Sequence, residues 1–389
     1  MRWNWEQPDW PRFAWKGDRL EQAEQRFVLA SGVFLGTVKH LEPETRDVLL
    51  VEAMSDEAVT TSRIEGEILD RESVQSSIRR ELKLSADERR VGPAERGISE
   101  MMTSLFRSFS APLENETLFA WHGMMMQGRN DLRDIGRYRT HADPMQVVSG
   151  RIDRPTVHFE APPTAQVPTE MARYIDWFNR TAPGGDEALP ALARAGTSHI
   201  YFESIHPFED GNGRIGRALS EKCLAQCLGH PTLTALAATI LIRQKAYYSA
   251  LEAANRSCEI TGWLSWLAGV CLEAQQRTLA QVEFLIDKTK LLDRLRGRIN
   301  ERQQAALLRM LSEGPSGFTE GLTAGKYVSI TKTSSATATR DLAELAELGA
   351  LTRTGELRHT RYHLAIPLRI VPTITISTDG EVIETPPNR

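Results

Sequence analysis

Apolar residues recur three or four positions apart along most of this chain, a period that fits one face of an α-helix rather than alternate faces of a strand. Between Asp18 and about Leu84 the series Ala23, Phe27, Ala30 and Val33 sets the pattern. Further helical segments run from about Val91 to Leu285, among them Glu170 to Asn179, Leu189 to Ile205 and Gly213 to Leu228. One stretch breaks the period. In Met145 to Phe159, Val147 and Val148 lie opposite Thr156 to Phe159 across a Gly/Asp/Pro turn, which predicts a β-hairpin standing on the helical body as a flap.

A mainly α chain of 389 residues exceeds what one hydrophobic core serves, so several domains are expected. Residues 1–90 read as an N-terminal helical region whose first turns carry Trp3, Trp5, Trp10 and Trp15, too many aromatics for a disordered tail. Residues 91–285 form the central helical core with its hairpin. The highly charged segment Lys288 to Arg302, with only Leu291, Leu292 and Leu295 as an apolar stripe, predicts a connecting helix, bounded here as 286–300. Residues 301–370 then show a helix from Gln303 to Leu311, a second short segment, and a helix from Ser335 to Leu348 ending at Gly349. Two strands follow, Leu351 to Arg353 and Thr360 to Leu364, about Gly355. That order predicts a small α+β winged helix, followed by a tail over 371–389.

Charge and targeting signals exclude several classes. Forty-seven basic against fifty-one acidic residues give a net charge of −4, so nothing global favours nucleic acid or an acidic membrane. No run approaches the roughly 18 apolar residues that would predict a membrane span, and the first ten residues lack the apolar core of a secretory signal. The closest cysteines, Cys223 and Cys227, are four apart and no C-x₂-C pair exists, so the thiols read as small core residues. A cytoplasmic protein without membrane contact is expected.

The chemistry concentrates in His206-Pro-Phe-Glu-Asp-Gly-Asn-Gly-Arg-Ile-Gly-Arg217. Gly211-Asn212-Gly213 precedes an amphipathic segment marked by Ile215, Leu219, Cys223 and Leu224, so the glycines lie at a helix N-terminus. Glycine lets successive N–H groups converge there, and the helix dipole favours an anion. Arg214 and Arg217, three apart, add two guanidinium forks for one polyphosphate. Asp210 would repel that anion unless a divalent cation such as Mg²⁺ lay between them. His206, mostly neutral at cellular pH, suits a general base. A polar helix cap with a core histidine would explain any one of these residues, but not all of them within twelve positions.

This run resembles the motif of the Fic family, His-Pro-Phe-x-(Asp/Glu)-Gly-Asn-Gly-Arg-x-x-Arg, at every defined position. Gly136-Arg-Tyr-Arg139 and Val157-His-Phe-Glu-Ala-Pro-Pro163 are similar to the family's upstream elements and target-binding flap, and the likeness covers about residues 50 to 285. The resemblance implies a Fic-type helical core and transfer of AMP from ATP to a Ser, Thr or Tyr hydroxyl of a protein. In that transfer His206 would act as base and Asp210 would hold Mg²⁺. Gly211, Asn212, Gly213 and Arg214 would stabilise the phosphoryl charge, and Arg217 would meet the γ-phosphate. Tyr247 to Asn255 is similar to the segment that lines the adenine, which makes Tyr248 and Asn255 candidate nucleotide contacts. UMP or phosphocholine transfer also occurs among family members, and the motif here has the AMP-typical form.

Thr61-Ser-Arg-Ile-Glu65-Gly66 resembles the family's inhibitory helix, (Ser/Thr)-x-x-x-Glu-(Gly/Asn). The resemblance implies that Glu65 pairs with Arg217 and takes the γ-phosphate site, or that it orients a water for AMP removal. In the winged-helix segment, Lys332, Arg340, Arg353, Arg358 and Arg361 could meet DNA phosphates, although Asp341, Glu344, Glu347 and Glu356 offset them. A DNA-binding regulator with the core as nucleotide sensor is therefore the rival class. A protein target, self-modification and a homodimer are the expected partners of the enzyme reading.

Overall fold

The computed structural model describes residues 3–85, 88–151, 154–232, 234–315 and 317–386. The chain divides into two compact units, Met1–Gln275 with Thr373–Thr385, and Gln276–Pro372 with Pro386–Arg389. No helix among the described residues is long and apolar enough to cross a membrane.

The first unit follows the helical period closely. Helices α1 (Glu21–Lys39), α2 (Pro43–Ile64), α3 (Arg71–Glu81), α4 (Pro93–Ser108) and α5 (Asn115–Met125) come first. A hairpin, β1 (Gln146–Arg151) and β2 (Arg154–Glu160), separates them from α6 (Val167–Arg180), α7 (Ala191–Ile205), α8 (Asn212–Leu228), α9 (Leu236–Ile242) and α10 (Gln244–Ala254). Proline opens α2, α4 and α6 within the first two positions, where its missing N–H costs no helical bond. Asp70 caps α3 by accepting from the Ser73 N–H at 2.8 Å. Helix α7 is buried along nearly its whole length and packs against α8, so the two helices that flank the His206 loop form the centre of the core.

Trp121 on α5 is fully buried, its indole N–H donating to Ser104 Oγ at 3.1 Å. Trp121→Ala empties that space and orphans the hydroxyl; we expect a loss of about 3–5 kcal/mol in chemical denaturation. A change below 1 kcal/mol would show that the site collapses around the vacancy.

The N-terminal arm lies on this body, as its tryptophans predict. Trp10 packs edge-on against Phe13 and Tyr201, Trp3 meets Phe159 at the hairpin base, and the Trp5 indole N–H donates to the Glu160 carbonyl at 2.7 Å. The hairpin is antiparallel, pairing Gln146 with Glu160 and Val147 with Phe159, with a bulge after Val147. Ile152 and Asp153, at the predicted turn, lie outside the described residues. The tail adds a second hairpin, β5 (Thr373–Ile376) with β6 (Val382–Thr385), whose Ile374 is buried in the first unit.

Helix α11 (Thr261–Leu295) is one continuous 35-residue helix, so the predicted connecting helix is its last turns, stopped at Gly297 with φ +71°. The second unit continues with α12 (Glu301–Leu311), α13 (Ala324–Thr331), α14 (Ser335–Glu347) and the antiparallel pair β3 (Leu351–Thr354) and β4 (Arg361–Leu364). Leu295, Leu307, Met310, Tyr327, Leu342 and Leu345 centre its core. Asp341, nearly buried, accepts from Arg302 and from the Tyr327 hydroxyl.

Candidate active site

The site is built where α7 stops and α8 starts. His206 caps α7 in the left-handed region (φ +49°, ψ +60°), a conformation that costs a non-glycine residue free energy and therefore needs support. Arg139 supplies it. This guanidinium, 2% exposed, donates to the His206 carbonyl at 2.9 Å, to Thr164 Oγ1 and to the Pro162 carbonyl, tying the loop to the segment after the hairpin. Phe208 is buried and stacks on His122 with ring centroids 4.3 Å apart. His122 Nδ1 accepts from the Gly136 N–H, so its Nε2–H donates to the Asp210 carbonyl at 3.2 Å. Burial pulls that imidazole down to about 4, which keeps it neutral.

Asn212 closes the loop. Its Oδ1 accepts from the Phe208 N–H and its Nδ2 donates to the Phe208 carbonyl, both at 2.9 Å, so the side chain is spent on loop shape. Gly211 caps α8 at φ +82°, which leaves the first amides of α8 turned towards the loop mouth. A Cβ on Gly213 would lie 2.2 Å from Glu65 Oε1 and 3.1 Å from Arg217 Nη1. The Glu65 carboxylate therefore stands directly over the first turn of α8, where a helix receives an anion.

Both motif arginines are held by acids from the segment that follows α2. Arg217, 2% exposed, donates through Nη2 to Glu65 Oε1 at 2.7 Å and to the Thr61 carbonyl at 3.0 Å, and through Nε to Thr61 Oγ1 at 2.7 Å. Burial works against its charge, but Glu65 outweighs burial and raises the guanidinium above its ordinary value. Among the described residues, Arg217 Nη1 is buried without a hydrogen-bond partner. Arg214 Nη1 donates to Glu67 Oε2 at 2.7 Å. Glu67 escaped the sequence reading because it lies outside the short inhibitory pattern; only its distance from Glu65 along the chain hinted at it.

Asp210 Oδ2 accepts from Arg129 Nη1 at 2.8 Å, and its Oδ1 lies 3.4 Å from Arg214 Nη2. Burial would raise this carboxyl, but the Arg129 bond and the Arg214 charge hold it below its ordinary value and therefore ionised. One ionised carboxylate beside an anion cradle suits a divalent cation whose other ligands are phosphate and water oxygens. Among the described residues no cluster of three or more His, Cys, Asp or Glu side chains could hold a metal by protein ligands alone.

The two downstream candidates take different places. Tyr248, 45% exposed, donates its hydroxyl to the Ile64 carbonyl at 3.2 Å, and Gln244 Nε2 donates to the same carbonyl at 3.0 Å, so α10 grips the end of α2. Asn255, 7% exposed, accepts on its backbone carbonyl from the Asn4 N–H at 2.8 Å and on Oδ1 from Ser204 Oγ at 3.4 Å. It holds the N-terminal arm. The hairpin keeps Val147, Val148 and Val157 exposed, an apolar strand surface near the loop it frames.

Residues 112–224 match the Fic/DOC family, and this span contains the whole His206–Arg217 loop. The chain carries a Fic/DOC domain. Residues 3–84, the arm and the helices up to α3, match DUF4172, a domain of unknown function. A probable protein adenylyltransferase from Aquifex aeolicus is 32% identical over 68 residues, 18% of this chain and 20% of that one, so the chain matches about a fifth of this curated relative's length. Among solved structures, a Fic family protein from Desulfovibrio desulfuricans is 21% identical, covering 88% of this chain and 95% of that one with a TM-score of 0.49. A Fic domain containing signaling protein from Bacteroides thetaiotaomicron is 16% identical, covering 68% and 98% with the same TM-score. The Fic domain thus includes α6, α7, the loop and most of α8, and the acids that hold its arginines come from the DUF4172 segment.

Proposed function

We propose that this protein is an autoinhibited protein adenylyltransferase that moves AMP from ATP onto a Ser, Thr or Tyr hydroxyl. The observation that carries the reading is the Glu65 carboxylate at the first turn of α8, bonded to Arg217. A carboxylate there occupies a place built for phosphate. Beside it, the buried His206 is neutral, burial and then the Arg139 charge pulling its imidazole down to about 4, so its ring is free to accept a proton.

When Glu65 leaves, Arg217 regains both arms of its fork for the γ-phosphate, and the Gly213 amide with Arg214 meets the phosphoryl oxygens, while the Gly211 N–H donates to Asp210 Oδ1 at 2.5 Å. The target hydroxyl gives its proton to His206 as its oxygen bonds the α-phosphorus. The bond from that phosphorus to the bridging oxygen breaks and pyrophosphate leaves. Asp210 is the residue that would hold Mg²⁺, which when bound neutralises phosphate charge. The exposed strand face of the hairpin suits an extended target segment, recognised mainly through backbone bonds.

Tyr248 and Gln244 act on the same brake by holding the Ile64 carbonyl. Tyr248→Phe removes one neutral hydrogen bond, worth about 0.5–1.5 kcal/mol, and is expected to raise basal transfer about two- to tenfold. The same substitution in Glu65→Gly protein should leave kcat unchanged. If it instead raises KM for ATP equally in both backgrounds, Tyr248 serves the adenine and not the brake.

The order of α12, α13, α14, β3 and β4 favours a second role for the second unit, a winged helix binding duplex DNA. Ser334 caps α14 by accepting from the Thr337 N–H, and Lys332, Arg340, Arg353 and Arg358 are exposed around it. Binding of duplex DNA that weakens linearly with log salt supports that role; binding absent at low salt removes it.

A further inference from the structure

Glu203 sits on the last turn of α7, three residues before His206, and the mechanism above gives it no task. Its side chain is 13% exposed and that of His206 is 14% exposed. Among the described residues, Glu203 Oε1 and His206 Nδ1 are both buried without a hydrogen-bond partner. The two side chains face each other, with Glu203 Oε2 3.8 Å from His206 Nδ1. A buried polar atom left unsatisfied costs about 1–3 kcal/mol, and here two such groups adjoin. A charge-assisted bond of about 2.8 Å between them needs only about 1 Å of side-chain movement.

We propose that Glu203 and His206 form a carboxylate–imidazole dyad, in which Glu203 orients the ring and stabilises the imidazolium that forms as the attacking hydroxyl is deprotonated. Glu203 is thus a positioning residue, acting through His206, and the proposal rests on the reading of His206 as the base. The hydroxyl proton goes to Nε2, leaving Nδ1–H to donate to Glu203 Oε2. The oxygen that lost it bonds the α-phosphorus, pyrophosphate carries away the bridging electron pair, and the imidazolium returns its proton to water. A base oriented by a third group recurs wherever imidazole activates a hydroxyl.

The neighbourhood decides when the dyad works. Glu203 faces Glu65 at the end of α2, Arg217 on α8, Tyr247 and Tyr248 on α10, and His199 on its own helix; His206 faces Arg139, Asp210 and Glu65. Burial first, and the Glu65 charge second, push the Glu203 carboxyl up to about 8 against the pull of Arg217. A protonated carboxyl still has an acceptor oxygen, but it cannot stabilise the imidazolium by charge. Ionised Glu203 can, so the rate constant for transfer should climb as pH rises through the Glu203 value. That step lies somewhat below 8 in Glu65→Gly protein, because one source of the upward push is gone.

The test uses full-length Glu65→Gly protein with α-labelled ATP across pH 6 to 9. Adding Glu203→Gln should lower kcat on the order of 10- to 100-fold, part of the 10²–10⁴ that a positioned base supplies, leave KM for ATP unchanged, and abolish the alkaline step. Glu203→Asp should keep the step at a reduced rate. A Glu203→Gln protein with unchanged kcat and unchanged pH profile overturns the dyad. His206→Ala separates the two claims: transfer lost there but intact in Glu203→Gln removes only the dyad, whereas transfer surviving His206→Ala removes the base itself. A readout independent of turnover is the ¹⁵N chemical shift of the His206 ring in the otherwise unaltered chain, assigned by loss of the signal in His206→Ala. It should show a step near pH 8 that Glu203→Gln eliminates, and superimposable curves overturn the proposal.

Discussion

In Glu65→Gly protein, His206→Ala should cut the transfer of AMP by about 10²–10⁴-fold, the span that a positioned general base supplies. Burial keeps the His206 ring neutral, and among the described residues its Nδ1 has no hydrogen-bond partner, so the ring can accept the hydroxyl's proton. Position 206 stands at φ +49°, a region that costs any residue but glycine about 1–2 kcal/mol and that histidine tolerates better than alanine, so alanine also adds some backbone strain. His206→Asn serves as the companion, because asparagine tolerates that region. Equal losses in both variants, with melting curves close to the parent, assign the effect to chemistry. A loss in alanine alone would assign it to the loop's conformation.

Glu65→Gly alone should raise transfer about 10- to 150-fold over the unaltered chain. The bond from Arg217 to Glu65 is charge-assisted and buried on the arginine side only, and such a bond is worth about 1.5–3 kcal/mol. ATP must displace it before its γ-phosphate reaches the guanidinium, so that free energy is subtracted from productive binding. Glu65 lies at the end of α2 with φ −86°, so glycine there disturbs little backbone. Initial rates with α-labelled ATP measure the effect. An unchanged rate would mean that Glu65 yields to ATP at no cost.

The helical elements and the hairpin were legible because their apolar periods are long and turn residues punctuate them. The motif loop was legible because its residues are adjacent, and Thr61 with Glu65 because one helical turn joins them. Glu67 and Arg129 carried no such signal, and Arg139 stands out only as part of the family-like Gly136-Arg-Tyr-Arg139 stretch, with no role attached. Each is an ordinary surface-type charge in the sequence, and each gains its role only when tertiary packing brings it to Arg214, Asp210 or the His206 carbonyl. Glu203 was hidden for another reason: a carboxylate one turn before a helix end looks solvent-facing until the packing of α7 against α8 buries it. Asn212 shows the converse, since a residue the motif links to phosphate spends its side chain on Phe208. The connecting segment after residue 286 read as separate because its apolar stripe is narrow, yet the backbone bonds of α11 run through it without a break.

We propose that a phosphate-binding loop, a neutral base and a removable acid make this chain transfer AMP to protein. Incubating Glu65→Gly protein with ATP labelled at the α-phosphate, and in parallel at the γ-phosphate, tests it most directly. Protein-bound label is expected from the α position only, and it is lost in His206→Ala. Label from the γ position would instead show phosphoryl transfer, and label from neither, with the chain itself and a cell lysate as acceptors, would contradict the claim.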